Sequence, residues 1–316
     1  MSSSPALAEV ARLAGVSVAT ASRVLSGRGP ASAASRDAVR RAAADLGYVP
    51  HPVASRLARG VGTRLLFAVR DRRADVLSDP FVTRATAAMA AATEPAGLGV
   101  SLRHLPLNAA AELDRIAADR SIAAVVMAGH DSLDGIPARL RGRFAAIGAD
   151  GLDVDSTGGI GALLRHLHAG GRRRIALVGG PSWLAAARAP LAAYTALMSA
   201  AGLPSRVVAG DFTAARGRAA ARTVLRRWPD TDAIATVSDA TAVGVLQTLT
   251  EAGIRVPHDI AVTGFDDIPV AAWTHPALST ATHPVELIAA AAAAAALGTA
   301  PRIRRFPSLP VLRASA

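Results

Sequence analysis

Residues 9–27 read EVARLAGVSVATASRVLSG. Leu7, Val10, Ala11 and Ala14 keep the i, i+3, i+4, i+7 spacing of one helix face, and Ala14-Gly15-Val16 supplies a tight turn. Ser17 stands where a second helix needs an N-cap, and that helix can bury one side through Ala21, Val24 and Leu25 alone. Two readings are open for such a pair: an amphipathic unit packed into a larger core, or one that presents a face. The side left over, Val18, Ala19, Thr20, Ser22 and Arg23, is short and free of acids. A face of that size can enter a DNA major groove, with hydroxyls on phosphates and an arginine on a guanine edge.

Downstream, Val39, Ala42, Ala43 and Leu46 repeat the helical spacing, with Ser32 placed as the cap of a third helix. Residues 1–48 therefore read as all-helical. Next comes YVPHPV, where Pro50 and Pro52 bar a continuous helix, then a helix-competent ASRLARG closed by Gly60 and Gly62. Residues 49–62 are thus a linker with a latent turn or two of helix, expected to be poorly ordered when free and to order only against a partner. The basic side chains are all arginine, a bias that genomic base composition can produce, so the net charge of +11 says little alone. Its distribution says more: residues 1–60 hold eight arginines against Glu9, Asp37 and Asp45. Positive charge is densest at the helical end.

From Arg64 the rhythm changes to short apolar runs, LLFAVR, LGVSLR, IAAVVMA, FAAIG, RIALVGG, RVVAG, AIATVS and IAVTGF, separated by amphipathic segments. That alternation predicts α/β architecture, and this many strands fit two doubly wound parallel sheets better than one. The break between them is expected near Gly151 to Thr157. The run Ala289 to Ala296 reads as helix, since alanine is the best helix former. With no cysteine among 316 residues, neither a disulfide framework nor a thiolate metal site is possible. No apolar run approaches the roughly 20 residues that span a bilayer, and MSSSPALAEV lacks the order of a signal peptide. The expectation is a soluble, cytoplasmic protein with no membrane partner, no cofactor and no metal.

The stretch 9–27 resembles, nearly residue for residue, the helix-turn-helix signature of the lactose-repressor (LacI/GalR) family of bacterial transcription regulators. The resemblance extends to LGYVPHPVASRLARG, GGRRRIALVGGP, AGDFTAARGRAAA, TVSDATAVGVL, GIRVPHDIAVTGFDDIPVAAW and HPALSTATHPVE, and is weakest between Asp71 and Ala149. It implies a helix-turn-helix domain over 1–48, a hinge over 49–62 and a periplasmic-binding-protein-like (type I) core over 63–316. Within that core, one subdomain would take 63–152 with 280–298 and the other 153–279 with 299–316. By the same resemblance Val18, Ala19 and Arg23 would read base edges, and Ser17, Thr20 and Ser22 would contact the DNA backbone. Leu57 would be a wedge into the minor groove at the centre of a palindromic operator, which requires a homodimer. The implied function is a sequence-specific regulator, a repressor associated with the nucleoid and gated by a small-molecule effector in the cleft.

For that cleft the resemblance points to Phe81, Phe212 and Asp266, with Arg188 as a second, less direct contact. Asp239 is read as the cap of a helix starting at Ala240. Three positions depart from the pattern. Pro190 replaces an effector-clamping arginine, Gly148 falls where an aspartate is common, and Ser238 replaces an asparagine. A proline offers no donor, so bidentate capture of a sugar diol from that position is lost. The effector is then sugar-like by resemblance yet less polar by these residues. The alternative is a ligand-independent DNA-binding regulator with a degenerate cleft. An enzyme finds little support: His166 and His168 point apart at i, i+2 on a helix, the HP pairs at His275 and His283 read as loop punctuation, and no HExxH, GxSxG or P-loop occurs. A periplasmic binding protein would need a signal peptide in place of residues 1–60.

Overall fold

The computed structural model describes residues 6–26, 30–49, 62–129, 135–148 and 151–316. The chain separates into two compact units, 1–63 and 64–316.

In the first unit, α1 (Leu7–Leu13), α2 (Val18–Leu25) and α3 (Ala33–Asp45) form because their ends are satisfied locally. Glu9 reaches back to accept the Ala6 N–H at 2.9 Å, Ser17 Oγ accepts the Thr20 N–H, and Ser32 Oγ accepts the Ser35 N–H. Gly15 adopts φ +65°, which lets the Val16 N–H turn back to the Ala11 carbonyl at 3.0 Å and close the first helix. The three helices bury Val10, Ala11, Ala21, Val24, Val39 and Ala42 against one another. The small residues of the expected buried side are what allow so short a pair to pack.

The second unit contains β1 (Arg64–Arg70), β2 (Gly99–Leu105), β3 (Ile122–Ala128), β4 (Phe144–Ile147), β5 (Leu152–Val154), β6 (Ile175–Gly179), β7 (Arg206–Ala209), β8 (Ala233–Thr236), β9 (Ala261–Thr263), β10 (Thr280–Ala281), β11 (Arg304–Phe306) and β12 (Pro310–Val311). Among the described residues, one parallel sheet runs β11-β5-β4-β3-β1-β2 and a second runs β7-β6-β8-β9. Each has its first strand between its second and third. This is the doubly wound order, whose crevice lies beyond the carboxyl ends of the strands. All eight expected apolar runs are strands. The inner strands β1, β3, β6 and β8 are buried almost throughout, completely so across Leu65 to Val69, because helices cover both faces, while the edge strands β2 and β7 stay partly exposed.

The alanine run forms the helix Val285–Ala296, which packs on the first sheet and on the helix Pro80–Thr93. Ala289, Ala292, Ala293, Ala295 and Ala296 are all buried, so small side chains are there to let two helices and a sheet approach closely. One boundary of the expected subdomain division needs correction. Residues 304–306, assigned with 299–316 to the second half, instead pair with Leu152–Val154 at the edge of the first sheet. Phe306 is buried there while Arg304 and Arg305 stay exposed, a period too short to register in sequence as a strand. The chain end does return to the second half, where Ser315 Oγ donates to the Val262 carbonyl at 2.7 Å. No helix among the described residues is long and apolar enough to cross a membrane.

Candidate functional site

In the helical unit, α2 buries Ala21 and Val24 and leaves Ser17, Val18, Ala19, Ser22 and Arg23 exposed, with Thr20 half-buried. Helical spacing puts 18, 19, 22 and 23 on one side, and Val18 stands 49% exposed there. The Ser17 and Thr20 hydroxyls lie 2.9 Å apart at the helix start, where backbone N–H groups and the dipole favour an anion such as phosphate. Arg23 donates Nε–H to the Ala19 carbonyl at 3.2 Å, which lays its guanidinium along the exposed face. Leu57 lies outside the described residues.

In the second unit, a cavity of about 200 Å³ opens where strands of both sheets end. Its wall is built from the residues that follow the strands: Asp71 after β1, Gly129 after β3, Gly148 after β4, Phe212 after β7, Ser238 after β8 and Asp266 after β9. Among the described residues, the three non-glycine residues with positive φ are Phe212 (69°), Asp266 (115°) and Asp267 (49°), and the first two line this cavity. Such backbone is held only where surroundings over-determine it. Here the Asp266 N–H donates to the Ala281 carbonyl, and Asp267 is pinned by Arg313 at 2.7 Å. Gly129 has φ +77°, and a Cβ on it would fall 2.1 Å from the Arg70 carbonyl oxygen, so only glycine fits.

Phe81, Phe212, Ser238 and Asp266 all reach the cavity, as does Pro190. Arg188 does not: it is exposed at the start of the helix Arg188–Ala200, and that wall is made by Trp183, Leu184, Ala186 and Ala187. The capping role expected of Asp239 belongs to Ser238, whose Oγ accepts the Thr241 N–H. Asp239 is the first helical residue and is fully buried, accepting from Thr280 Oγ1 at 2.6 Å and from the Ile268 N–H at 2.9 Å. Burial first, then the charge of Asp266, pushes its carboxyl up to about 7.

His283 is one of the cavity residues that sequence reasoning missed. Rather than punctuating a loop, it lines the cavity with Nδ1 at 2.9 Å from Asp266 Oδ1, stacks on Phe81 at 5.5 Å and lies against Phe265. Arg84 fixes this corner by donating to the His283 carbonyl while gripping Glu286 through two hydrogen bonds of 2.8 and 2.9 Å. Trp183 was also passed over; its only sequence signal is its place just after the glycines that end β6. Asp79 caps the helix Pro80–Thr93 by accepting the Phe81 N–H at 2.9 Å. Burial raises its carboxyl above the ordinary range, and the Asp266 charge adds to that rise, while the Phe81 bond and Arg73 oppose it.

Residues 6–51 match the family described as bacterial regulatory proteins, lacI family, and residues 164–315 match the periplasmic binding protein-like domain. The chain is 31% identical over 309 residues to the transcriptional regulator CelR of Thermobifida fusca, covering 90% of this chain and 88% of that protein. It is 29% identical over 314 residues to GalR of Escherichia coli, covering 92% and 88%. Among solved structures, a CelR–cellobiose complex superposes with a TM-score of 0.70 at 29% identity over 99% of this chain and 100% of the other. The lac repressor dimer bound to operator and the anti-inducer ONPF superposes with a TM-score of 0.84 at 23% identity over 99% of each, and shares the fold. With its helix-turn-helix matched in place and a relative of this identity spanning nearly its whole length, the chain belongs to the lacI family of bacterial regulatory proteins.

Proposed function

We propose that this regulator binds a palindromic operator as a dimer, acts as a repressor, and is released from or recruited to DNA by a small molecule held in the cavity. The observation that carries the reading is the cavity's position at the carboxyl ends of both sheets. A ligand touching Phe81 from one half and Phe212 from the other favours one arrangement of the halves over another, and differential affinity of that kind is what gating requires. At the helical end, Val18, Ala19 and Arg23 read base edges, and Ser17, Thr20 and Ser22 hold the backbone. Residues 49–62 serve as the hinge, with Leu57 as a minor-groove wedge that orders on DNA.

Selection of binding sites from random duplex DNA tests the operator half of this reading. A palindrome with two half-sites should emerge, and a single asymmetric site or none would refute it. The departures at Pro190, Gly148 and Ser238 favour a second reading, a regulator that needs no ligand. It is selected if no metabolite in a panel of sugars, nucleosides, polyols and amines stabilises the protein or changes operator binding.

A further inference from the structure

A depression beside the cavity shares Asp71, Arg73 and Trp183 with it and adds Arg72, Asp211 and Arg216. Inside the cavity, four carboxylates, Asp71, Asp79, Asp153 and Asp266, meet two guanidiniums, Arg70 and Arg73. Arg305 pairs with Asp153 at 2.7 Å, and Arg73 is shared loosely between Asp71 at 3.6 Å and Asp79 at 3.8 Å. With Arg305 included, four carboxylates outnumber three guanidiniums, and the remaining basic group is His283, whose Nδ1 lies 2.9 Å from Asp266 Oδ1. The mutual repulsion is visible at both neighbours: the Asp266 charge helps to push Asp79 and Asp239 up, behind the larger effect of burial.

The walls around those carboxylates are apolar. Phe81, Trp183, Phe212 and Phe265 supply ring surface, and Pro190 and Ile147 fill the places between. Some of the donors that a saccharide's lone pairs would need already face protein groups. Arg73 faces its two aspartates, Arg70 gives Nε–H to the Leu107 carbonyl at 2.8 Å, and the Ser238 hydroxyl donates to the Phe212 carbonyl at 3.3 Å. Hydroxyl oxygens of a bound sugar would compete with these partners for the same donors, which costs affinity in a closed site. A cation needs only acceptors, and aromatic faces attract it as well.

We propose that the cavity selects a protonated amine carried on an apolar, ring-bearing body, with the ammonium between Asp79 and Asp266 and the ring among Phe81, Trp183 and Phe212. This rests on the cavity being the effector site, and it names the chemical class of that effector. The carboxylate of Asp266, held in place by His283 and by its positive-φ backbone, is the principal counter-charge. Asp79 is the second, fixed by its cap to the Phe81 N–H. Phe81 is thereby tied through one residue pair to both the ring site and the ammonium site.

Calorimetric titration of the full chain at pH 7 tests this with four probes: 2-phenylethylamine, the neutral 2-phenylethanol of the same shape, the anionic phenylacetate, and cellobiose. The amine should bind at least about tenfold more tightly than the alcohol, a modest demand for charges a few ångströms apart away from bulk water, and phenylacetate more weakly than either. Asp266→Asn and Asp79→Asn each keep an acceptor oxygen for the present partner, and each should shrink the amine-to-alcohol preference severalfold while leaving the alcohol's affinity nearly unchanged. Equal affinity of amine and alcohol for the wild-type protein overturns the proposal without reliance on any variant. So does tighter binding of cellobiose, or no binding of the amine. Operator release is read separately in the same samples: an amine that binds by these criteria yet leaves the operator complex intact at saturation refutes gating and leaves the ligand class standing.

Discussion

Asp239 shows how much of this molecule depends on single buried groups. Its two oxygens tie the segment after β9 to β10, through the Ile268 N–H and the Thr280 hydroxyl, at a fully buried position where a charge is costly. Its carboxyl sits at about 7 in the folded chain against 3.8 unfolded, so folding takes up a proton between those values. The stability it contributes is therefore fully present below about pH 4 and is lost as pH rises to 7, by at most roughly 4 kcal/mol. Asp239→Asn removes the titration, and urea unfolding of the variant should show a flatter dependence on pH between 4 and 7 than the wild type. An unchanged slope would show that the group ionises freely in the folded state. Gly264 belongs to the same arrangement, since a Cβ there would lie 2.1 Å from Asp239 Oδ1.

At the scale of elements, α2 and the helix Val285–Ala296 are opposites. α2 buries little and presents much, so its exposed side chains can change without loss of fold. Arg23→Ala should cost about 1 to 3 kcal/mol on the selected operator with no shift of the unfolding midpoint. A variant that keeps full operator preference in a gel-shift titration would remove Arg23 from base reading. The helix Val285–Ala296 buries most of its length and presents chiefly Glu286 and Leu287, while Ala292 and Ala289 have no exposed surface. Ala292→Leu should lower stability by about 1 to 3 kcal/mol in chemical unfolding, because a close-packed contact has no room for three extra carbons. If the variant is as stable as the wild type, the contact between this helix and its neighbours is looser than its burial indicates.

For the whole molecule, the cavity matters because residues from both sheets meet there. A ligand that binds only the folded chain at 100 times its dissociation constant should raise unfolding stability by about 2.7 kcal/mol. Thermal unfolding against a panel of amines, sugars, nucleosides and polyols measures this directly. The same residues can do this only if they stay poised at strand ends, and the positive φ of Phe212 and Asp266 marks where the fold has been held to that purpose.

The sequence by itself determined the elements that repeat a physical period. Val10, Ala11, Ala21 and Val24 announced the helix pair, Ser17 its cap, and eight apolar runs the strands of two sheets, because burial on one helix face or on both faces of a parallel strand leaves a pattern that needs no partner to be seen. Phe81, Phe212 and Asp266 were pointed to by the family resemblance, and all three line the cavity. What only the tertiary structure decided is which separate stretches meet. His283 joins Asp266 and Phe81 from the far side of a crossover, Arg304–Phe306 returns to the first sheet, Arg188 turns outward, and Ser238 rather than Asp239 caps its helix. None of these has a period or a local motif. Each is set by long-range contacts whose energy depends on residues more than a dozen positions apart, or by a backbone angle that a neighbour imposes, and neither is written in the spacing of a single segment.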